Sequence, residues 1–210
     1  MKKQFLRIAC VLFALSMLFA SVSCSKNDQD DQKPTQGIIN EEERTYKNES
    51  MEIVLQLDDE WSIHPTSELE KFAGMISTAD EFAEAVEKLD VVYELYSVKN
   101  TSNCNIIIYF QNAKKSFGRA LTEAELINAT KDSSKETLEK NGSTVEKFEV
   151  VSKTIAGKQF EGFYIKQSQN GITLYQYSVF KRIGHHLYNI TITAQNEAEL
   201  DKTLSCFTKL

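Results

Sequence analysis

The chain has 210 residues, 41% hydrophobic and 26% charged, and a formal net charge of −6. Its lysines and arginines are scattered among a larger number of carboxylates, which excludes the clustered basic surface that phosphate contact requires, so no nucleic-acid partner is expected. Beyond residue 23 no apolar run approaches the roughly 20 residues needed to span a hydrocarbon layer, which predicts a soluble mature domain.

The first 23 residues read as an export signal: Lys2, Lys3 and Arg7, the apolar run from Ile8 to Ala20, then small residues ending at Ser23. Without those three cations the net charge of −6 becomes about −9. Ser21-Val22-Ser23-Cys24 resembles the bacterial lipobox, in which the cysteine is acylated, palmitate-type chains included, and becomes the new N-terminus. Ser21 stands where that pattern prefers leucine, and the same small residues also suit ordinary cleavage with free secretion. Lipid on Cys24 would make the membrane a partner and place the protein in the cell envelope or at the cell surface, two acyl chains anchoring stably where one is marginal. Residues 24–45 carry Asp28, Asp30, Asp31, Glu41, Glu42 and Glu43, with Ile38 and Ile39 almost alone as apolar side chains. That composition predicts a flexible tether, followed by a single globular domain over 46–210.

Met51, Ile53, Leu55 and Leu57 alternate with polar residues, the period of a half-buried strand. The chain turns at Asp58-Asp59, and Trp61 and Ile63 suggest a short strand returning beside it, stopped by Pro65. Two helical patterns follow, one with Leu69, Phe72, Ala73 and Ile76, the other with Phe82, Val86 and Leu89. Val91 to Val98 and Cys104 to Phe110 should form adjacent strands. Thr122 and Glu125 have capping-box spacing, with Leu121 placed to staple onto Leu126 and Asn141-Gly142 as the helix stop.

From Lys158 the pattern is a meander of three long strands, turning at Asn170-Gly171 and again near Ile183-Gly184. Counting from the turns pairs Tyr164 with Tyr177, Val179 with Tyr188 and Tyr177 with Ile190. One face then holds Phe160, Tyr164, Tyr175, Tyr177, Val179, Tyr188, Ile190 and Ile192, and is core. The other begins apolar, with Phe163, Ile165, Leu174, Phe180 and Leu187, and becomes polar through Gln176, Ser178, Asn189, Thr191 and Thr193, as if a helix covers only part of it. Asn196 and Glu199 cap a last helix bearing Leu200, Leu204 and Phe207.

This order of elements, ending in Leu187-Tyr188-Asn189-Ile190-Thr191-Ile192-Thr193 and a short helix, resembles the PsbP-like domain, found also in the Ran-binding Mog protein and in many bacterial lipoproteins. The resemblance implies an α+β fold, an α/β/α sandwich around a central, mainly antiparallel sheet. It also implies an accessory or partner-binding role, since the family has no common enzyme activity.

The residues name no reaction. There is no Gly-x-Ser-x-Gly elbow, phosphate loop, paired-cysteine motif or His-Glu-x-x-His segment, so no catalytic residue and no cofactor is assigned. His185 and His186 are strand neighbours that point to opposite faces, and a solvated hairpin tip explains them better than a metal. Trp61 reads as packing rather than as a ligand stack, and the meander tyrosines as core with hydroxyls reaching its edge. Cys104 and Cys206 are the two cysteines left in the folded part, free or paired in a disulfide. The reading is a non-catalytic lipoprotein binding a macromolecule or small ligand through the polar end of the meander, with Gln176, Ser178, Asn189 and Thr191 as contacts. An envelope hydrolase with a dispersed site, or a purely structural envelope protein, are the alternatives.

Overall fold

The computed structural model describes residues 34–69, 90–102, 104–114, 119, 121–169 and 171–210. Residues 1–33, with the export signal and Cys24, and 70–89, with most of the two helical patterns, lie outside them.

Among the described residues two antiparallel sheets frame the domain. The smaller has the order β1 (Ile38–Asn40), β2 (Thr45–Asn48), β3 (Ile53–Gln56) and β11 (Phe207–Lys209). The larger runs β4 (Trp61–His64), β5 (Val92–Lys99), β6 (Asn105–Asn112), β10 (His186–Ala194), β9 (Ile172–Ile183), β8 (Lys158–Gln169) and β7 (Thr144–Ile155). Helix α1 spans Glu123–Lys140 and α2 spans Glu197–Leu204. The α+β class and the mainly antiparallel central sheet are those expected, while one outer layer consists of the second sheet with α2 rather than of helices alone.

The main core lies between the sheets. Alternation puts Ile53 and Leu55 of β3 against Leu95, Ile106, Ile108, Phe110, Phe160, Val179, Tyr188, Ile190 and Ile192, all buried. The meander face predicted to be core is therefore core. On the far side α1 buries Leu126, Ile127 and Leu138 against Phe163, Ile165, Phe180 and Leu187, covering the apolar part of that face. Thr122 starts this helix as expected: its hydroxyl accepts from Glu125 N–H at 3.2 Å while the Glu125 carboxylate accepts from Thr122 N–H at 2.9 Å. At the other end Gly142, at φ +83°, turns the chain so that its N–H and that of Ser143 reach the last carbonyls.

Four expectations change. The globular part begins before residue 46, because Ile38–Asn40 pair with β2 and Gly37 N–H is held by Glu94. Trp61 does not return beside β3; the turn at Asp58 carries the chain into the other sheet, where Trp61 lies opposite Lys99. Phe207 belongs to strand β11, not to the last helix. At the second turn Ile183 lies opposite His186, which pairs Val179 with Ile190 and Tyr177 with Ile192. That is a shift of two residues, and an even shift keeps every side chain on its predicted face.

Candidate functional site

The register of the large sheet builds a polar field on its α1-side face, beyond the part that α1 covers. Gln176 on β9 lies opposite Thr193 on β10, and Thr193 opposite Asn105 on β6, so three polar side chains form one row across three strands. One row along, Ser178 faces Thr191, and Phe180 faces Asn189, which in turn lies opposite Tyr109. Gln167, opposite Leu174, closes the field on β8.

Within it, Ser178, Asn189 and Thr191 satisfy one another. Asn189 Nδ2 donates to Ser178 Oγ at 3.0 Å, and the Thr191 hydroxyl donates to Asn189 Oδ1 at 2.7 Å and lies 3.2 Å from Ser178 Oγ. The adjoining row is different. Both amide atoms of Gln176, Asn105 Oδ1, Thr193 Oγ1, Gln167 Oε1 and the Tyr109 hydroxyl are buried and lack a hydrogen-bond partner among the described residues. Buried polar groups are nearly always paired, with protein or with ordered water, and an orphan costs about 1–3 kcal/mol, so this row is where the sheet can still accept and donate hydrogen bonds. None of the amides and hydroxyls ionises near neutral pH, and burial holds the Tyr109 phenol above its usual value. The field can bind by hydrogen bonds through these amides and hydroxyls.

Gln176, Ser178, Asn189 and Thr191, expected as contacts on an outer polar surface, are thus brought together but are fully buried, at 0–1% exposure. They sit on β9 and β10, interior strands with neighbours on both sides. Asn105, Gln167 and Tyr109 were not legible as members of the field. Thr193 was visible as part of the polar face, and the β6–β10 pairing would have supplied Asn105.

The buried ionisable groups lie elsewhere and are closed off by partners. A bulge between Tyr93 and Leu95 turns Glu94 into the space between the sheets. Its carboxylate accepts from Gly37 N–H at 2.8 Å, from Asn48 Nδ2 at 3.0 Å and from the Tyr46 hydroxyl. Burial raises the Glu94 pKa against the pull of those donors, and burial together with Glu94 raises that of Tyr46. Lys99 Nζ is held 3.0 Å from Glu60 and 3.5 Å from Glu199.

His185 is exposed at the hairpin turn, whereas His186 is buried edge-on to Phe110, so the two do point apart but only one is solvated. Among the described residues no three His, Cys, Asp or Glu side chains converge on a point. Trp61 is buried in the main core. The meander tyrosines reach its margin, Tyr164 donating to Glu197, and Tyr177 accepting from Lys153 Nζ at 2.6 Å and donating to Asp201 at 3.1 Å. Cys104 and Cys206 are free thiols: Cys104 is buried with its sulfur 3.5 Å from Thr203 Oγ1, and Cys206 Sγ donates to the Lys202 carbonyl at 3.6 Å.

No family model and no curated protein sequence matches the chain. Among solved structures it is similar in fold to the cyanobacterial PsbP of Synechocystis, with 8% identity, a TM-score of 0.44, and 89% of this chain and 98% of that one covered. It is also similar to LpqN, described as involved in cell envelope biogenesis of Mycobacterium tuberculosis, with 14% identity, a TM-score of 0.40, and 74% and 82% covered. No helix of the described residues is long and apolar enough to cross a membrane.

Proposed function

We propose that the chain is an extracytoplasmic lipoprotein, acylated at Cys24, whose domain is a non-catalytic binding or accessory module for a small, neutral ligand rich in hydrogen-bonding groups. The observation that carries the binding half is the buried row of Asn105, Thr193 and Gln176, with Gln167 beside it, in which Asn105 Oδ1, Thr193 Oγ1, Gln167 Oε1 and both Gln176 amide atoms have no hydrogen-bond partner among the described residues. A neutral ligand fits because a charge placed against uncharged amides and hydroxyls in a buried site would stay uncompensated. A small one fits because the field is enclosed. For the anchor, the support is the export signal and the small residues ahead of Cys24.

Native mass spectrometry of the exported, undenatured protein tests the site, comparing wild type with the double variant Gln176→Leu, Thr193→Val. The wild type should carry a non-covalent adduct that the variant lacks, while the variant gains about 1–3 kcal/mol for each orphan removed. A wild type at its bare mass, beside a stabilised variant, would reduce the field to ordinary core. Intact mass of the membrane fraction tests the anchor: a diacyl or triacyl chain beginning at Cys24 is expected, and an unmodified chain in the medium overturns it.

A further inference from the structure

We infer that residues 37–43 are a releasable strap: β1 and the turn after it leave the small sheet as a unit, hinged at Arg44, while the core between the sheets stays closed. None of residues 34–44 is buried, whereas Thr45, Tyr46 and Asn48 of β2 are. Strand β1 is the edge of its sheet and pairs with β2 alone, over three residues. Ile38 is 67% exposed and Ile39 only leans on the core from its margin, so lifting the strap takes little apolar surface out of contact. Segments with so few buried contacts are the ones that open locally, ahead of the whole domain.

The turn holds itself together. Asn40 Oδ1 accepts from the N–H groups of Glu42 and Glu43, at 3.1 Å each, so this cap travels with the strap. Outside it, the Glu43 carbonyl has one exposed contact, from Gln56 Nε2 at 2.9 Å. Arg44, a non-glycine residue at φ +52°, is pinned through its carbonyl to Leu57 N–H at 3.0 Å, and this ends the movable part.

The fastening lies at the other end. Gly37 N–H donates to the Glu94 carboxylate at 2.8 Å, which ties the strap to β5 of the large sheet. Shape completes it. A Cβ at residue 37 would lie 2.2 Å from Tyr46 Cε2 and 2.6 Å from Cζ. That ring is buried, and its hydroxyl is held by Glu94 and by Asn48 Nδ2, the latter at 3.1 Å, so it cannot step aside cheaply. Only glycine lets the strap lie down over it. One consequence rests on the acylation of Cys24 proposed above. With the strap closed the free tether ends at Gly37, and opening adds the seven residues 37–43 to it, a further reach of up to about 25 Å at roughly 3.5 Å per residue.

Amide hydrogen exchange on the full mature chain carrying Cys24→Ala tests the strap without the anchor, with and without Gly37→Ala, read at Ile38–Asn40 and at Ile53–Gln56. In the parent chain β1 should exchange at least 100-fold faster than β3. Gly37→Ala should speed β1 at least tenfold further and change β3 less than twofold. Equal exchange of the two strands in the parent would overturn the inference, since β1 would then open only with the whole domain. So would a Gly37→Ala chain that speeds both strands alike, speeds neither, or fails to fold, because a strap that merely rides on the core cannot unfold it. An unacylated Cys24 in the membrane fraction would remove the change of reach and leave the strap standing.

Discussion

Glu94 is the group whose removal the structure constrains most tightly. In Glu94→Gln one oxygen remains to accept from Gly37 N–H, but the new NH2 meets Asn48 Nδ2, donor against donor, and only the Tyr46 hydroxyl can turn round to accept. One unsatisfied buried donor corresponds to a loss of about 1–3 kcal/mol. The pH dependence is more diagnostic. Burial lifts the folded-state pKa of Glu94 above its ordinary value, and the groups facing it, Tyr46 of β2 and Tyr188 of β10, bring no cation to lower it. A carboxyl with a raised folded pKa holds its proton more tightly in the native protein than in the unfolded chain. Its contribution is complete below the unfolded value and is lost as pH rises through the folded one, at about 1.4 kcal/mol for each pH unit between the two. Glutamine has no such term, so the stability difference between wild type and variant should be widest at acid pH and narrow toward neutrality. Urea unfolding followed by the single tryptophan, Trp61, from about pH 4 to about pH 7.5 measures it directly. A difference that is flat in pH, or widens toward neutrality, would refute the reasoning.

A Cβ added at Gly162 would lie 2.1 Å from the Ser178 carbonyl oxygen and 2.6 Å from Val179 Cα, both main-chain atoms of β9. Gly162→Ala should therefore force β8 and β9 apart and cost about 3 kcal/mol, and an unchanged Tm by circular dichroism would show that the strands can give. Thr122→Ala removes the capping box of α1 and should lower the urea stability by about 1 kcal/mol, with Thr122→Ser restoring most of it. Burial pushes the Cys104 thiol up to about 12, so in a Cys24→Ala chain iodoacetamide should alkylate Cys206 first and reach Cys104 only on unfolding. Equal rates for the two would contradict the buried placement of Cys104.

What the sequence revealed and what it hid divide along physical lines. Local chemistry was readable: the Thr122–Glu125 reciprocal cap, and the Asn170-Gly171 turn that sets Gln169 opposite Ile172, where Gly171 adopts φ +75°. The two faces of the meander were readable because side-chain direction follows parity, which survived even the two-residue error at Gly184-His185. Strand β7 escaped because its bulge between Val145 and Lys147 breaks the alternation, and its edge position leaves most of its residues polar or exposed. The path of Trp61 escaped for another reason: alternation tells which side of a strand is buried, never which sheet the strand joins. The polar field was half visible. Gln176, Ser178, Asn189 and Thr191 were found as a face, but their enclosure and their extension to Asn105 depend on pairings between strands far apart in sequence.

The small sheet is assembled from opposite ends of the folded chain: β11 lies against β3, with Thr208 bonded to the Val54 carbonyl 154 residues away. Strand β11 is therefore made long after the strand it covers. Until Phe207–Lys209 arrive, β3 is an open edge and the two-sheet core lacks Phe207. Closure of this core therefore waits on a contact between strands far apart in sequence, and a chain cut before Phe207 would leave β3 open as an adhesive edge.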